Sequence, residues 1–197
     1  MNFNWNIETY ISIAFTVTSL IVAIIIIKIN WKQYGLLFLL SGVVGSIICY
    51  IFIITGLYSF PYRLFPNFLR FPFYCILTIF PAYVLLGVRY SPKLWALKIP
   101  VYWVIVHLGM VAETWAHNKT QLIRYDLYWD FWDSYTWWWI FFLIFEWVGG
   151  LIVSEQYRKP INPEVFKYGK IGFFIIHFIL ITTIFLGGFY AGRVTMR

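Results

Sequence analysis

Six stretches of this chain are each long and apolar enough to need hydrocarbon as solvent, and nothing else in the sequence constrains the fold as much. They run over residues 10–27, 34–58, 73–88, 95–117, 135–153 and 170–191, and the second contains LLFLLSGVVGSIICYIFIITGLY. A hydrocarbon core about 30 Å thick takes roughly twenty helical residues to cross. Inside it every backbone amide needs a partner from the protein, so runs of this length fold as helices. A β-barrel would alternate polar and apolar residues, and these runs do not. The predicted fold is therefore all-α, a single domain over 1–197 built as a bundle of six transmembrane helices. Short loops make neighbouring helices antiparallel. Pro81 removes a backbone donor within the third span and predicts a break or kink there.

Charged residues make up 12% of the chain, about half of what a soluble domain carries. The net charge of +7 comes from 15 basic residues scattered singly through short loops. That pattern suits lipid headgroups and topology signals and gives nucleic acid no footprint. With the N-terminus outside, the inner loops hold nine of them (Lys28, Lys32, Arg89, Lys93, Lys98, Arg158, Lys159, Lys167, Lys170) and the outer set six (Arg63, Arg70, Lys119, Arg124, Arg193, Arg197). Positive residues favour the cytoplasmic side, so both termini are expected outside. The opening MNFNWNIETY lacks the basic start of a signal peptide, which makes the first run a retained span. Cys49 and Cys75 lie in apolar runs and read as buried thiols. Small residues allow close helix approach at Ser41, Gly42, Gly45 and Ser46, and at Gly188 and Gly192, either within the chain or at a dimer seam.

An ionisable group at the centre of a span costs about 2.5 to 3.5 kcal/mol on insertion scales, so each asks for a reason. Glu146, His107 and His177 fall at similar counted depths, and two readings fit. They converge as a mid-membrane polar layer able to relay protons, or each His bonds a backbone carbonyl or hydroxyl while Glu146 is protonated or paired. Glu113 and His117 are four apart, on one helix face, and read either as an acid–base pair or as an interfacial helix end. In RYDLYWDFWDSYTWWW, from Arg124 to Trp139, Asp126, Asp130 and Asp133 would share a face of a helix. Asp126 and Asp130 spell DxxxD and would suit Mg²⁺ and a diphosphate, or the stretch is an interfacial helix with its acids in water. Aromatic residues reach 23%. Tyr125, Trp129, Trp132 and Trp138, with His177, are candidates to line a site for an apolar ligand, because aromatic faces stabilise cations and bury flat or long apolar groups. No HExxH, GxSxG, P-loop, CxxC or Gly-rich dinucleotide turn occurs.

Phe60-Pro61-Tyr62-Arg63, Pro81, Arg89-Tyr90-Ser91-Pro92, Glu113, the run KTQLIRY from Lys119 to Tyr125 and the Trp-rich helix after it cover roughly residues 58–147. On these the chain resembles a small multi-pass membrane family of spore-forming, low-GC Gram-positive bacteria. The resemblance implies several spans and a plasma-membrane location, and no activity. In the order Glu113, aromatic stretch, Glu146 it is also similar to integral-membrane terpene and lycopene cyclases. That likeness implies a Glu that protonates an alkene or epoxide, with Trp and Tyr faces shielding the cation. The expected function is then a membrane enzyme or binder for an isoprenoid or lipid-like substrate. Glu113, His117, Glu146 and His107 are its acid–base residues, and membrane lipid and an apolar small molecule are its partners. The rivals are a proton-coupled carrier using Glu146 and His107, and a non-catalytic subunit or scaffold.

Overall fold

The structure is a computed structural model that describes residues 5–166 and 169–196, apart from the side chains of 165 and 166. Lys167 and Arg197, both counted for topology above, lie outside the described residues. Among the described residues there are six α-helices: α1 Ile7–Ile27, α2 Trp31–Ile54, α3 Phe73–Tyr90, α4 Trp95–Lys119, α5 Phe131–Ile152 and α6 Gly169–Thr195. All six are long and apolar enough to cross a membrane, and the fold is the expected all-α multi-pass bundle.

Local chemistry sets the helix ends. The Asn6 side chain accepts from the Thr9 amide and Asn30 from Gln33, each at 3.0 Å, which caps α1 and α2. At α5, Asp130 accepts from the Trp132 amide at 2.8 Å, while Asp133 accepts from the Asp130 amide at 2.9 Å. This reciprocal capping box starts the helix at Phe131, earlier than the apolar pattern suggested. Helix α3 continues through Pro81, so the expected break is not one. The proline ring is buried against α2, beside Gly42.

Helix α3 is central, packing against α1, α2, α4 and α5, while α5 also meets α2, α4 and α6. The tightest part of the core gathers Tyr34, Leu85, Val88, Tyr102, Val106 and Phe142. Glycines set how closely helices approach. Gly42 faces Leu77 and Pro81 of α3, and Gly45 faces Phe141 of α5, so the small residues of α2 serve contacts within the chain. Helix α6 stands outside this core against α4 and α5, and Gly188 and Gly192 face open space. At one end of the bundle two short strands, β1 Tyr58–Ser59 and β2 Arg124–Tyr125, pair antiparallel and tie the α2–α3 loop to the α4–α5 loop. The Tyr62 amide donates to Gln121 at 2.8 Å and the Asp126 amide to Leu57 at 2.9 Å, so the two loops form one lid.

Candidate functional site: an aromatic cavity around Glu113

Glu146 and Glu113, each more than a turn inside its helix, lie at opposite ends of the bundle. Glu146 is six residues from the end of α5, and Glu113 is six from the end of the antiparallel α4, each about 9 Å in at 1.5 Å per residue. Their surroundings differ completely.

Glu146 is buried and saturated. Its Oε1 pairs with Lys98 Nζ and with Arg158 Nη2 at 2.7 Å, and accepts from Ser91 Oγ at 3.0 Å. Its Oε2 accepts from the Tyr102 hydroxyl at 2.6 Å. Arg158 also donates from Nε to the Val88 carbonyl at 2.7 Å, so one cluster ties together α3, α4, α5 and the segment after α5. Gly87 makes room for it: a Cβ there would meet the Tyr102 ring at 2.9 Å.

The expected polar layer of Glu146, His107 and His177 does not form. Glu146 sits near a helix end, where Lys98 and Arg158 reach it first. His107 Nδ1 bonds the Trp103 carbonyl at 2.7 Å, and His177 Nδ1 bonds the Phe173 carbonyl at 2.8 Å on the exposed side of α6. Each imidazole is satisfied four residues back on its own helix, the second of the two readings.

Glu113 is different. Its Oε1 accepts from the Tyr125 hydroxyl at 2.8 Å and its Oε2 from Trp138 Nε1 at 2.7 Å. Among the described residues no ion pair reaches it, whereas Glu146, Asp126, Asp130 and Glu155 each have a basic partner. Burial, and after it the charge of Glu113, pushes the Tyr125 phenol well above its ordinary range, so Tyr125 remains an O–H donor. Trp138 reaches Glu113 by crossing α4 at Gly109, where a Cβ would clash with the indole ring.

Glu113 lines a cavity of about 230 Å³. Helices α1 to α5 supply its walls, and the lid covers it with Tyr58, Phe60 and Ile123. The lining is overwhelmingly apolar and aromatic, and it includes Trp129, Trp137, Trp138 and Phe141 as well as Glu113. Helices α1 and α4 both line it but are not among the pairs that pack closely. Phe15 and Trp115, more than two-fifths exposed, rim this gap, which faces what would be hydrocarbon.

No family model, curated protein or solved structure matches this chain. The site is therefore read from its own geometry.

Of the residues proposed from sequence, Glu113, Trp129 and Trp138 line the cavity, and Tyr125 joins it through Glu113. His117 shares a helix face with Glu113 but does not bond it among the described residues. Its ring stacks on Tyr125 at 4.2 Å, so the expected direct pair is replaced by Glu113, Tyr125 and His117 in series. Trp132 points away and packs edge-on against Phe189 of α6 at 5.8 Å.

Nor do the three aspartates share a helix face, because Asp126 lies in the lid, before the capping box at Asp130. Asp126 is engaged by Ser59 and by Arg124 at 2.9 Å, and Asp130 by the α5 amides and Arg193. Among the described residues no group of three or more His, Cys, Asp or Glu side chains gathers as a metal site. A Mg²⁺ ion at Asp126 and Asp130 would have to displace both arginines, so this donor set does not fit it. Sequence reasoning missed Gly109, Tyr58 and the basic partners of Glu146. Lys98 carried a signal: it is a charge four residues into an apolar helix, yet it was counted only for topology.

Proposed function

We propose that the protein binds the apolar part of an isoprenoid or other lipid-like molecule in the aromatic cavity. Glu113 meets the ligand's polar or reacting end as an acid–base group. The observation that carries this reading is a single carboxylate, with no basic partner among the described residues, in the wall of a largely apolar and aromatic cavity. The cavity has room for one end of such a molecule, and the remainder lies in the gap between α1 and α4. With the N-terminus outside, the cavity belongs to the outer leaflet of the cell membrane.

The donors favour one direction for the chemistry. Tyr125 and Trp138 make Glu113 an acceptor on both oxygens, an arrangement better suited to receiving a proton than to protonating an alkene. In a cyclase-like reaction Glu113 would thus serve as the base that ends a cationic sequence, with the Trp and Tyr faces stabilising the cation before it. In the carrier reading Glu146 would have to part from Lys98 and Arg158 to take a proton.

Photolabelling in membranes tests the reading. A prenyl alcohol carrying a diazirine should cross-link to cavity residues such as Ile79 and Phe141. Ala112→Trp, which fills the cavity from α4, should cut that labelling by about tenfold, the loss expected when some 1.4 kcal/mol of binding is removed. Labelling confined to outward residues such as Ile184 and Phe185 would contradict it.

A further inference from the structure

We infer that the ligand of this cavity carries a cationic, alkylated ammonium-type group, which sits against Glu113 among the indole rings. The inference rests on the reading above and adds the ligand's charge. Three observations converge on it. First, among the described residues Glu113 has only neutral partners, Tyr125 and Trp138, while four other acids are paired with Lys or Arg. The chain carries a net charge of +7, yet none of its described basic residues reaches this carboxylate.

Second, the wall that holds Glu113 also includes Trp129, Trp137, Trp138 and Tyr58. Aromatic faces attract cations most strongly where water is excluded, and alkylated ammonium groups are the cations that lose least on leaving water. Third, the described residues of the wall include no Lys, Arg or His. Its donors are neutral hydroxyls, indoles and thiols, the Ser12 hydroxyl among them. An anionic headgroup would meet the Glu113 carboxylate with no cation to offset it. A cation needs only the carboxylate and the rings.

Binding of three amphiphiles with one chain length, decyltrimethylammonium, decanol and decanoate, to the full-length protein in maltoside micelles decides the matter by titration calorimetry. The ammonium compound should bind at least about tenfold more tightly than decanol. Decanoate should bind least, against the bulk attraction of a positively charged protein for anions. Glu113→Gln should erase the preference for the ammonium compound over decanol. Equal binding of decanol and decyltrimethylammonium to the unmodified protein, or a preference for decanoate, overturns the cationic ligand and leaves the apolar-ligand reading standing. If none of the three binds, both readings fall. The comparison on the unmodified protein decides even where the variant does not fold.

Discussion

At the scale of the residue, environment separates two identical side chains. Glu146 and Glu113 lie equally deep from opposite ends, yet one is engaged by four side chains, two of them cationic, and the other by two neutral donors. Removing one member of a buried ion cluster leaves its partners charged and desolvated. Glu146→Gln should therefore lower stability in detergent by about 3 kcal/mol, and Glu113→Gln by less than about 1 kcal/mol, as no buried cation is left behind. Chemical unfolding of both variants checks this. Equal loss in the two would mean that Lys98 and Arg158 do not depend on Glu146. The cost of a charge in lipid pointed to both glutamates from sequence alone. Which groups each would meet depends on the register of α4 against α5, and a one-dimensional pattern does not carry that.

At the scale of the element, glycine positions and capping residues decide what reaches the cavity. Gly109 and Gly149 are crossed by Trp138 and Val88, and a Cβ at either would lie within 3 Å of its neighbour. Gly109→Ala and Gly149→Ala should each cost about 1 to 3 kcal/mol by overpacking, whereas Gly188→Ala on open α6 should change stability by less than about 0.5 kcal/mol. Only Gly109→Ala should also weaken ligand binding, because it moves Trp138 off Glu113. Thermal unfolding combined with a binding assay separates the three.

The lid makes a pH prediction. Burial opposes the charged form of Asp126, but the hydrogen bond from Ser59 and then Arg124 outweigh it and hold the carboxyl below the ordinary carboxylate range. Asp130 is likewise lowered, by Arg193 and the α5 amides against burial. A depressed folded-state pKa gives stability that is complete above the unfolded value, about 3.9, and is lost as pH falls through the folded one. Protection of the Asp126 amide from hydrogen exchange, corrected for intrinsic rate, should hold from neutral pH down to about 4 and fall only below that. Loss between pH 7 and 5 would contradict it. The helices themselves were legible, since apolar runs state their own length. The place of Asp126 was not, because the box of Asp130 with Asp133 stops the helix before it, and a spacing of four then three looks helical whether or not a cap intervenes.

At the scale of the whole molecule, the bundle divides its polar chemistry between its ends. One end is fastened by the cluster around Glu146, and the other holds a lidded aromatic cavity with an unmatched carboxylate. The basic residues carry less topological information than their number suggests, because Lys98 and Arg158 are drawn inward to Glu146. Convergence of acids and imidazoles was expected from the scarcity of charge in lipid. His107 and His177 escape it by bonding their own helices, and Glu146 by recruiting basic residues counted as loop signals.

Mass spectrometry of small molecules retained by the detergent-purified protein tests the cavity most directly. The unmodified protein should carry a stoichiometric apolar molecule bearing a prenyl or acyl chain, and Ala112→Trp, equally folded, should not. Ordinary phospholipid retained in equal amount by both proteins would mean that the space around Glu113 is not a ligand site.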